Sequence, residues 1–534
     1  MVSLAMVSAL LLPLNLLSIQ RFHHDEALYA TWALTIASGQ DIWLDKTPID
    51  KPPLFFYLLA GSFKLLGHSE TAARLPSLLA TALTVGLTFF LGRRLFSRPV
   101  GTVAAWLVAL SPFSLMFAPT AFTDPVQVAF VIASCLAASY GRAGWAGVLL
   151  ALAIATKQQG LFFTPLVLGL LFGAGRGVIV SQPQTLDPAE SRLTKNHPSK
   201  PFFRFTVASL ASLVSLLAWD LNRHQPSAFL ERSLTNYGGL ATDLASIGER
   251  GLGFIELLAY ATGSVVLNSI FIAGLPLVLI YDLWTGRTKK QSPSHAPFPS
   301  PSMFPNFQTS KLPIFFPSLL LTLFILFFLA LHAALSFQIW DRYLLGLMPL
   351  LALLLARILL LPGSLLQHFH PLSCRRGPGF IYGLGLAGLL AVSLGRPVQD
   401  AINARYPLGS NSEDIYGIEQ IVAYLQRNVG ANNTLFHHWL GAHWRFYLWD
   451  YPYDLQFWDK PEVLASKAKP GYFVAVPARR SELLLRLVLK NRNYYLREVT
   501  RAYQRDGLPS LLLYRIEQTD DEEPPQKSTF GQKN

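Results

Sequence analysis

Charged side chains are scarce in this sequence. Only 14% of its 534 residues are Asp, Glu, Lys or Arg, whereas 51% are hydrophobic. Soluble domains carry roughly a quarter charged residues, so this composition excludes an ordinary water-soluble globular protein. The hydrophobic residues are also grouped into blocks of about 18 to 22, the length that a helix needs to cross a bilayer. The sequence therefore predicts a polytopic membrane protein.

Cysteine is scarcer still, since the chain contains only Cys135 and Cys374. These two residues are far apart in the sequence, and each lies in or beside an apolar run. Two such residues exclude a disulfide framework and a thiolate metal site. The net charge of +12 is not concentrated in one basic patch, which argues against nucleic acid as a partner. The basic residues lie mostly in short loops between the apolar blocks, where Lys and Arg mark the cytoplasmic side.

The N-terminal stretch "MVSLAMVSALLLPLNLLSI" lacks the basic start and small-residue cleavage site of a secretory signal. We therefore expect it to be retained as the first span. The whole pattern predicts about eleven spans, and the basic residues place the N-terminus in the cytoplasm. The predicted spans are 2–20, 76–92, 99–117, 125–141, 144–156, 161–175, 205–221, 256–284, 313–336, 343–362 and 379–396.

Two polar inserts, 181–200 and 288–311, are rich in Pro and Ser and have too little apolar surface to fold alone. They are predicted to be flexible linkers on the cytoplasmic side. Beyond the last span, helical patterns alternate with strand-like runs, which predicts a small α/β domain. An odd number of spans would place that domain outside the cytoplasm. The predicted organisation is a membrane domain at 1–398, an α/β domain at 399–516 and a disordered tail at 517–534.

Charged residues recur at the edges of the loops that are predicted to lie outside the cytoplasm. A lone Lys or Arg there often extends to lipid headgroups, and an acid at a helix start is often only a cap. Asp50 and Lys51 precede two prolines, which stiffen the chain and aim both side chains. Helix ends that direct such charges into one cavity would form a site. The residues concerned are Asp25, Glu26, Asp50, Lys51, Asp124, Lys157, Asp341 and Arg342.

The order of these segments resembles a known family. The stretches "HDEALYATWALTIASGQ", "DKPPLFFYLLAGSFKLLGHSETAARLPSLL", "TAFTDP", "ATKQQGLFFTPLVLGLL" and "WDRYLLGLMPLLALLLA" follow one another between about residues 20 and 360. Together they resemble GT-C glycosyltransferases of the dolichyl-phosphate-mannose–protein mannosyltransferase type, which includes the bacterial aminoarabinose transferases that modify lipid A. The resemblance implies a mainly helical membrane bundle of the GT-C type with a small C-terminal α/β domain.

The resemblance also implies roles for individual residues. Asp25 matches the catalytic acid of the first outside loop, where it would act as general base or orient the acceptor, and Glu26 is grouped with it. Asp124 matches the second acidic position. Asp50 stands where relatives carry an acid before "KPP". When that acid is glutamate, its side chain is one methylene longer than that of Asp50. Asp50 and Asp124 together could hold a divalent cation. The basic residues that match the binding site for the lipid phosphate of the donor are Lys51, Lys157 and Arg342.

These roles predict an inverting membrane glycosyltransferase that moves a sugar from a polyprenyl-phosphate-linked donor to a lipid, glycan or protein acceptor. The expected location is the plasma (inner) membrane, with the active site on the non-cytoplasmic face and membrane lipids around the spans. A secondary transporter of a lipid-linked or anionic substrate is the alternative, although it would place paired charges near the middle of its spans and show repeats. A catalytically inactive scaffold is a third hypothesis, against which Asp25 and Asp124 argue.

One further motif, "HHWLGAHW" at 437–444, contains three histidines that invite a metal site. Histidines beside aromatic residues in a small domain more often pack and form hydrogen bonds than bind a metal ion. We therefore expect His437, His438 and His443 to be structural.

The orientation can be tested with topology reporters. A tag inserted within 290–305 is expected to report the cytoplasm, and a tag after residue 400 the opposite side, because the basic loops mark the inside and the predicted number of spans is odd. Paired fusions of alkaline phosphatase and a fluorescent protein at both positions would measure this. Both tags on the same side of the membrane would contradict the predicted topology.

Overall fold

The structure is a computed structural model of the full chain. It describes residues 1–180, 199–232, 235, 239, 243–288, 315–335, 338–363, 365, 377–409, 416–430, 432–504 and 506–519. Most of the two predicted linkers and of the predicted tail lies outside these residues, and so does Cys374. The chain divides into two compact units. The first unit comprises Met1–Ile19 and Trp32–Ser410, and the second comprises Gln20–Thr31 and Asn411–Asn534.

The first unit is mainly helical in its described length. Short 3-10 segments at Gln158–Phe163, Ala259–Ala261 and Asp341–Leu347 and a π turn at Ala228–Arg232 connect its α-helices. The α-helices are α1 (Val2–Leu11), α2 (Leu14–Ile19), α3 (His24–Ala37, which begins in the second unit), α4 (Leu54–Leu66), α5 (Glu70–Leu95), α6 (Arg98–Leu110), α7 (Pro112–Phe117), α8 (Asp124–Ser139), α9 (Ala143–Thr156), α10 (Thr164–Val180), α11 (Ser199–Leu221), α12 (Leu244–Leu258), α13 (Val265–Thr288), α14 (Phe315–Ala334), α15 (Met348–Leu359) and α16 (Gly377–Ile402).

Among the described residues, seven helical stretches are long and apolar enough to cross a membrane. They are Val2–Ile19, Glu70–Leu95, Pro201–Leu221, Val265–Trp284, Pro317–Ala334, Asp341–Leu359 and Ile381–Ile402. Shorter apolar helices, such as α4 and α8, accompany them. The predicted class, a mainly helical membrane bundle with a small C-terminal α/β domain, is confirmed, while the predicted number of about eleven spans stays a prediction.

One proline and one glycine divide two of the predicted spans. The span predicted at 99–117 is broken between α6 and α7, because Ser111 precedes Pro112 and adopts an extended conformation with ψ of 131°. The span predicted at 256–284 is interrupted after α12, where Gly263 has a φ of 64°. A left-handed residue of this kind ends a helix, and glycine accepts it at the least cost. Hydrophobic length alone does not reveal these breaks.

Two kinds of contact hold the helices of the first unit together. Gly92 of α5 faces Gly101 of α6 so closely that a Cβ atom on Gly92 would lie 2.7 Å from the Cα atom of Gly101. Small residues permit this close approach of apolar helices. Further along the chain, Asp282 of α13 accepts hydrogen bonds at 2.6 Å from Ser318 of α14 and from Arg357 of α15. This buried ion pair links three helices.

The second unit contains a five-stranded sheet in the order β2-β1-β3-β5-β4. Strand β1 is parallel to both β2 and β3, whereas β5 is antiparallel to β3 and β4. The elements of this domain are α17 (Ile418–Asn428), β1 (Thr434–His437), α18 (Gly441–Tyr447), β2 (Asp454–Phe457), α19 (Pro461–Lys467), β3 (Phe473–Pro477), α20 (Leu483–Lys490), β4 (Tyr494–Tyr503) and β5 (Pro509–Gln518).

Helices cover both faces of this sheet. On one face, α17 and the turn into α18 pack against Leu435 of β1, and Trp444 of α18 is 1% exposed. On the other face, α19 and α20 pack against Phe436, the next residue of β1. Alternate residues of a strand point to opposite faces, so a short buried strand between two helical layers is apolar on both sides.

The segment at residues 20–31 packs as part of this second unit. The ring of Phe22 lies 4.9 Å from that of Phe446, measured between centroids, and the backbone carbonyl of Phe22 accepts a 2.8 Å hydrogen bond from Nε2 of His443. The hydroxyl of Thr31 donates to the carbonyl of Ala442 at 3.0 Å. His443 is fully buried, and its Nε2–H tautomer is set by the carbonyl that it contacts.

Burial lowers the pKa of His443 from 6.5 to about 3, so the folded domain keeps this ring neutral. Between these pH values the unfolded chain binds more protons than the folded chain, so the stabilisation is complete above pH 6.5 and declines as the pH falls. We expect the unfolding temperature of the second unit to decrease between pH 7 and pH 5. In the variant His443→Gln, the glutamine keeps an N–H donor for the carbonyl of Phe22 but does not titrate. The unfolding temperature of this variant should therefore decrease less over the same pH range. Thermal unfolding of purified protein would measure both.

A suitable control for this experiment is His224→Gln, because the side chain of His224 is 87% exposed and lies in the first unit. His224 pairs with Asp45 within the first unit, so in this variant the unfolding temperature of the second unit should follow the wild type at every pH. If the unfolding temperature depends on pH equally in the His443→Gln variant and the wild type, His443 does not contribute to the pH dependence of stability.

Candidate active site

Asp50 and Lys51 lie in the loop before α4. The two residues form an ion pair with 2.9 Å between Nζ of Lys51 and Oδ2 of Asp50, and Lys51 is only 4% exposed. The chain then passes through Pro52 and Pro53 into α4, which begins at Leu54. Because proline fixes φ and offers no N–H, this short segment holds the charged pair in a defined direction. The structure therefore buries a pair that sequence reasoning singled out for its charge.

A second buried pair joins Asp124 to Lys157. Asp124 is the first residue of α8, and Lys157 follows the last residue of α9. Nζ of Lys157 lies 2.5 Å from Oδ1 of Asp124, and the two residues are 4% and 3% exposed. The hydroxyl of Thr123 also donates to Asp124, at 3.3 Å. Charges buried this deeply are stable only when they are paired and hydrogen-bonded.

Neutral and aromatic residues connect the two pairs to Arg342. The side-chain amide of Gln158, next to Lys157, donates to the backbone carbonyl of Asp50 at 2.8 Å. The ammonium of Lys157 lies 4.7 Å from the ring centroid of Tyr343. The guanidinium of Arg342, which is 6% exposed, lies 5.0 Å from the ring centroid of Phe122. Within the first unit, the structure thus brings together Asp50, Lys51, Asp124, Lys157 and Arg342.

Asp25 and Glu26 lie in the second unit, in the first turn of α3. Glu26 is fully buried, and its carboxylate accepts a 2.8 Å hydrogen bond from the backbone N–H of His23. An acid three residues into a helix that reaches back in this way caps the helix start. Asp25 is partly exposed, and its backbone N–H donates to Nδ1 of His23 at 3.2 Å.

Sequence reasoning missed several residues that complete the cluster in the first unit. Gln158 and Tyr343 are neutral, and each adjoins a residue that was predicted from its charge. Trp340, whose ring centroid lies 4.9 Å from the Arg342 guanidinium, precedes that arginine by two positions. The aromatic residues that flank "DR" in "WDRY" were the available signal, because Arg stacks on aromatic faces.

The resemblance implied that Asp50 and Asp124 could together hold a divalent cation. Each of these carboxylates instead contacts a lysine ammonium, and the described parts of the chain contain no group of three or more His, Cys, Asp or Glu side chains that could hold a metal ion. Two lysine-paired carboxylates do not fit the oxygen-rich ligand set of a hard cation. The chemistry of this cluster is therefore derived from its own side chains.

The cluster is suited to an anion. Three buried basic side chains, Lys51, Lys157 and Arg342, come from three separate segments of the chain and converge beside apolar helices. A phosphate oxygen accepts strong hydrogen bonds from ammonium and guanidinium groups, and such bonds strengthen where water is excluded. The arrangement can therefore bind a phosphate group and stabilise negative charge that develops on it.

Comparison with known proteins covers both the sequence and the fold. Residues 50–186 match the family model described as dolichyl-phosphate-mannose-protein mannosyltransferase. This match includes Asp50, Lys51, Asp124 and Lys157. A comparison with curated protein sequences found no match.

Two crystal structures of ArnT from Cupriavidus metallidurans share the fold along almost their whole length. The form bound to undecaprenyl phosphate is 15% identical with a TM-score of 0.59, and covers 98% of this chain and 99% of ArnT. The apo form is 14% identical with a TM-score of 0.60, and the match covers 96% of this chain and 97% of ArnT. AglB from Archaeoglobus fulgidus gives 12% identity, a TM-score of 0.47, and coverage of 98% of this chain and 75% of AglB. The family match and the fold shared with ArnT confirm the predicted resemblance to GT-C glycosyltransferases of the mannosyltransferase and aminoarabinose transferase type.

Proposed function

We propose that this protein is an inverting glycosyltransferase that moves a sugar from a polyprenyl-phosphate-linked donor to an acceptor hydroxyl. The observation that carries the proposal is the burial of three basic side chains, Lys51, Lys157 and Arg342, among the apolar helices of the first unit. A lipid-linked phosphate suits such a place because its chain is apolar and its head is anionic. The ArnT structure of the same fold was crystallised with undecaprenyl phosphate, a molecule of this chemistry.

In the proposed mechanism, the basic cluster holds the donor through its phosphate. A lysine ammonium carries three N–H donors, so a lysine that contacts a carboxylate, as Lys51 and Lys157 do, can also donate to a phosphate oxygen. Asp124 orients Lys157 through the 2.5 Å contact, and Asp50 does the same for Lys51. As the sugar–phosphate bond breaks, negative charge accumulates on the departing phosphate, and the three cations stabilise it.

Asp25 is proposed to act on the acceptor. Its carboxylate removes the proton from the acceptor hydroxyl while the oxygen attacks the anomeric carbon, and the bond from that carbon to the phosphate oxygen breaks. Polyprenyl phosphate leaves, the proton rests on Asp25, and the configuration at the anomeric carbon is inverted by the single displacement. Glu26, as the cap of α3, is proposed to hold the helix start that carries Asp25.

The acceptor is proposed to be a lipid, a glycan or a protein that is reached on the non-cytoplasmic face of the plasma (inner) membrane. The supporting observation is the bias of basic residues toward one set of loops. A divalent cation has no assigned step, because Asp50 and Asp124 are paired with lysines.

No observation on the described residues favours the alternative of a secondary transporter. Such proteins carry paired charges near the middle of their spans. The buried pair of Asp282 and Arg357 lies in the last two turns of α13 and α15.

Removal of a phosphate-binding cation should weaken donor capture. Lys51→Ala is expected to raise the KM for a polyprenyl-phosphate sugar about ten- to a hundredfold, which is the range of one charge-assisted hydrogen bond, with a smaller change in kcat. Lys51→Arg should restore only part of the affinity, because a planar fork does not reproduce a compact ammonium. Lys64→Ala, at an exposed lysine of α4, is the matched control. Release of polyprenyl phosphate by reconstituted protein measures the kinetics, and an unchanged KM in Lys51→Ala would contradict the assignment.

Loss of the proposed base should affect turnover instead. Asp25→Asn keeps the size and removes the negative charge, so we expect kcat to fall by roughly 10² to 10⁴ at an unchanged donor KM. The assay follows labelled sugar passing from the donor to a neutral hydroxyl acceptor. Glu462→Gln, at an exposed acid of α19, should retain full activity. Near-normal kcat in Asp25→Asn would remove Asp25 from the mechanism.

A further inference from the structure

The sheet of the second unit contains a topological switch point. Strand β1 lies between β2 and β3 and is parallel to both. The connection from β1 to β2 passes through α18 on one face of the sheet, and the connection from β2 to β3 passes through α19 on the other face. In open α/β sheets, ligands bind beyond the carboxyl ends of the strands where successive connections take opposite faces. In this domain, that place is the carboxyl edge between β1 and β3.

Polar and aromatic residues from all three parallel strands meet at this edge. His438 and Trp439 follow the end of β1, Trp458 follows β2, and Arg480 lies three residues after the end of β3. Nδ1 of His438 donates a 2.8 Å hydrogen bond to the carbonyl of Trp458. Nε2 of the same ring contacts Nη1 of Arg480. The mechanism proposed above uses none of these residues.

The two contacts of His438 define one tautomer and orient Arg480. Because the carbonyl of Trp458 can only accept, Nδ1 carries the proton, and the unprotonated Nε2 then accepts from the arginine. Arg480 is solvent-exposed, and its other guanidinium N–H groups make no hydrogen bond to the part of the chain that the structure describes. A guanidinium held in this way presents a planar fork that matches a phosphate or carboxylate group.

Trp439 connects this edge to the segment that carries Asp25. Trp439 is 40% exposed, so part of its indole ring is open to solvent. Its ring centroid lies 4.4 Å from that of His24, the residue that precedes Asp25. An exposed indole offers a flat apolar face on which the C–H face of a sugar ring can stack, while its surroundings remain polar.

We propose that His438, Trp439 and Arg480 form a binding site for a sugar that carries an anionic group. Trp439 stacks on the sugar ring, Arg480 binds the phosphate or carboxylate, and His438 is a positioning residue that orients Arg480. The inference rests on the proposed function, because the bound sugar would be part of the acceptor, held beside the segment that contains Asp25. It specifies the acceptor as a glycan or glycolipid that bears negative charge.

Binding can be measured without any transfer reaction. Isothermal titration of the purified full-length protein with glucose 1-phosphate, glucuronate, glucose and inorganic phosphate separates the contributions of sugar and charge. We expect at least one of the two anionic sugars to bind ten times more tightly than glucose and than inorganic phosphate. The better of these two ligands identifies the anionic group. Trp439→Ala and Arg480→Ala should each weaken that binding about tenfold or more, whereas Arg492→Ala, at an exposed arginine beyond α20, should not.

The role of His438 has its own test. His438→Gln keeps an acceptor near the position of Nε2 and should retain most of the binding, whereas His438→Leu should lose it to the same extent as Arg480→Ala. In the transfer assay, Trp439→Ala and Arg480→Ala should raise the KM for a charged glycan acceptor and leave the donor KM unchanged.

Three results would overturn this inference: no binding of either anionic sugar, equal binding of glucose, or binding that all variants retain. The proposed function would be unaffected by any of them, because it depends on the kinetic effects of Lys51 and Asp25. Conversely, if those two kinetic effects are absent while the sugar binds, the acceptor role is overturned together with the proposed function.

Discussion

Charge that is buried among apolar helices has to be neutralised within the protein, and this constraint organises the first unit. Lys51 and Lys157 are almost fully buried, and each is paired with an aspartate. Removing one partner of such a pair typically costs about 3–5 kcal/mol, because the other charge is left without compensation. The loops that carry these residues are therefore fixed by the same contacts that a ligand would use. A phosphate that enters the cluster meets cations whose positions are already determined, so little reorganisation is needed.

The charged residues of the cluster were predictable because charge is rare in this sequence. An Asp or Lys at the edge of an apolar block stands out, and Asp50, Lys51, Asp124, Lys157 and Arg342 all do so. Gln158 and Tyr343 do not, since neutral polar and aromatic residues are common at membrane interfaces and only contact geometry separates them from their neighbours. The helical class and the C-terminal α/β domain followed from hydrophobic length and from strand-like patterns. The breaks at Pro112 and Gly263 could not be predicted in this way, because one proline or glycine hardly changes the apolar character of a twenty-residue block.

The membership of residues 20–31 in the second unit was beyond sequence reasoning. Phe22 and His443 are separated by 421 positions, and neither residue carries a local signal of the other. Every residue has a backbone carbonyl, so the sequence does not indicate which carbonyl a buried histidine contacts. The histidines of "HHWLGAHW" likewise have different environments: His443 packs in the interior, while His438 is partly exposed at the sheet edge. Spacing alone would have treated them as one group.

The shared unit of residues 20–31 and the C-terminal domain also bears on how the chain is made. Residues 20–31 are synthesised just over four hundred residues before the first strand of the sheet. Until then Phe22 has no Phe446 to pack against, and His443 gains its carbonyl acceptor only when the two segments meet. An unsatisfied buried donor is costly, so closure of the sheet domain over residues 20–31 is a late folding step with a large loop to close. The start of α3, and with it Asp25, therefore takes its final place only when the last domain of the chain has folded.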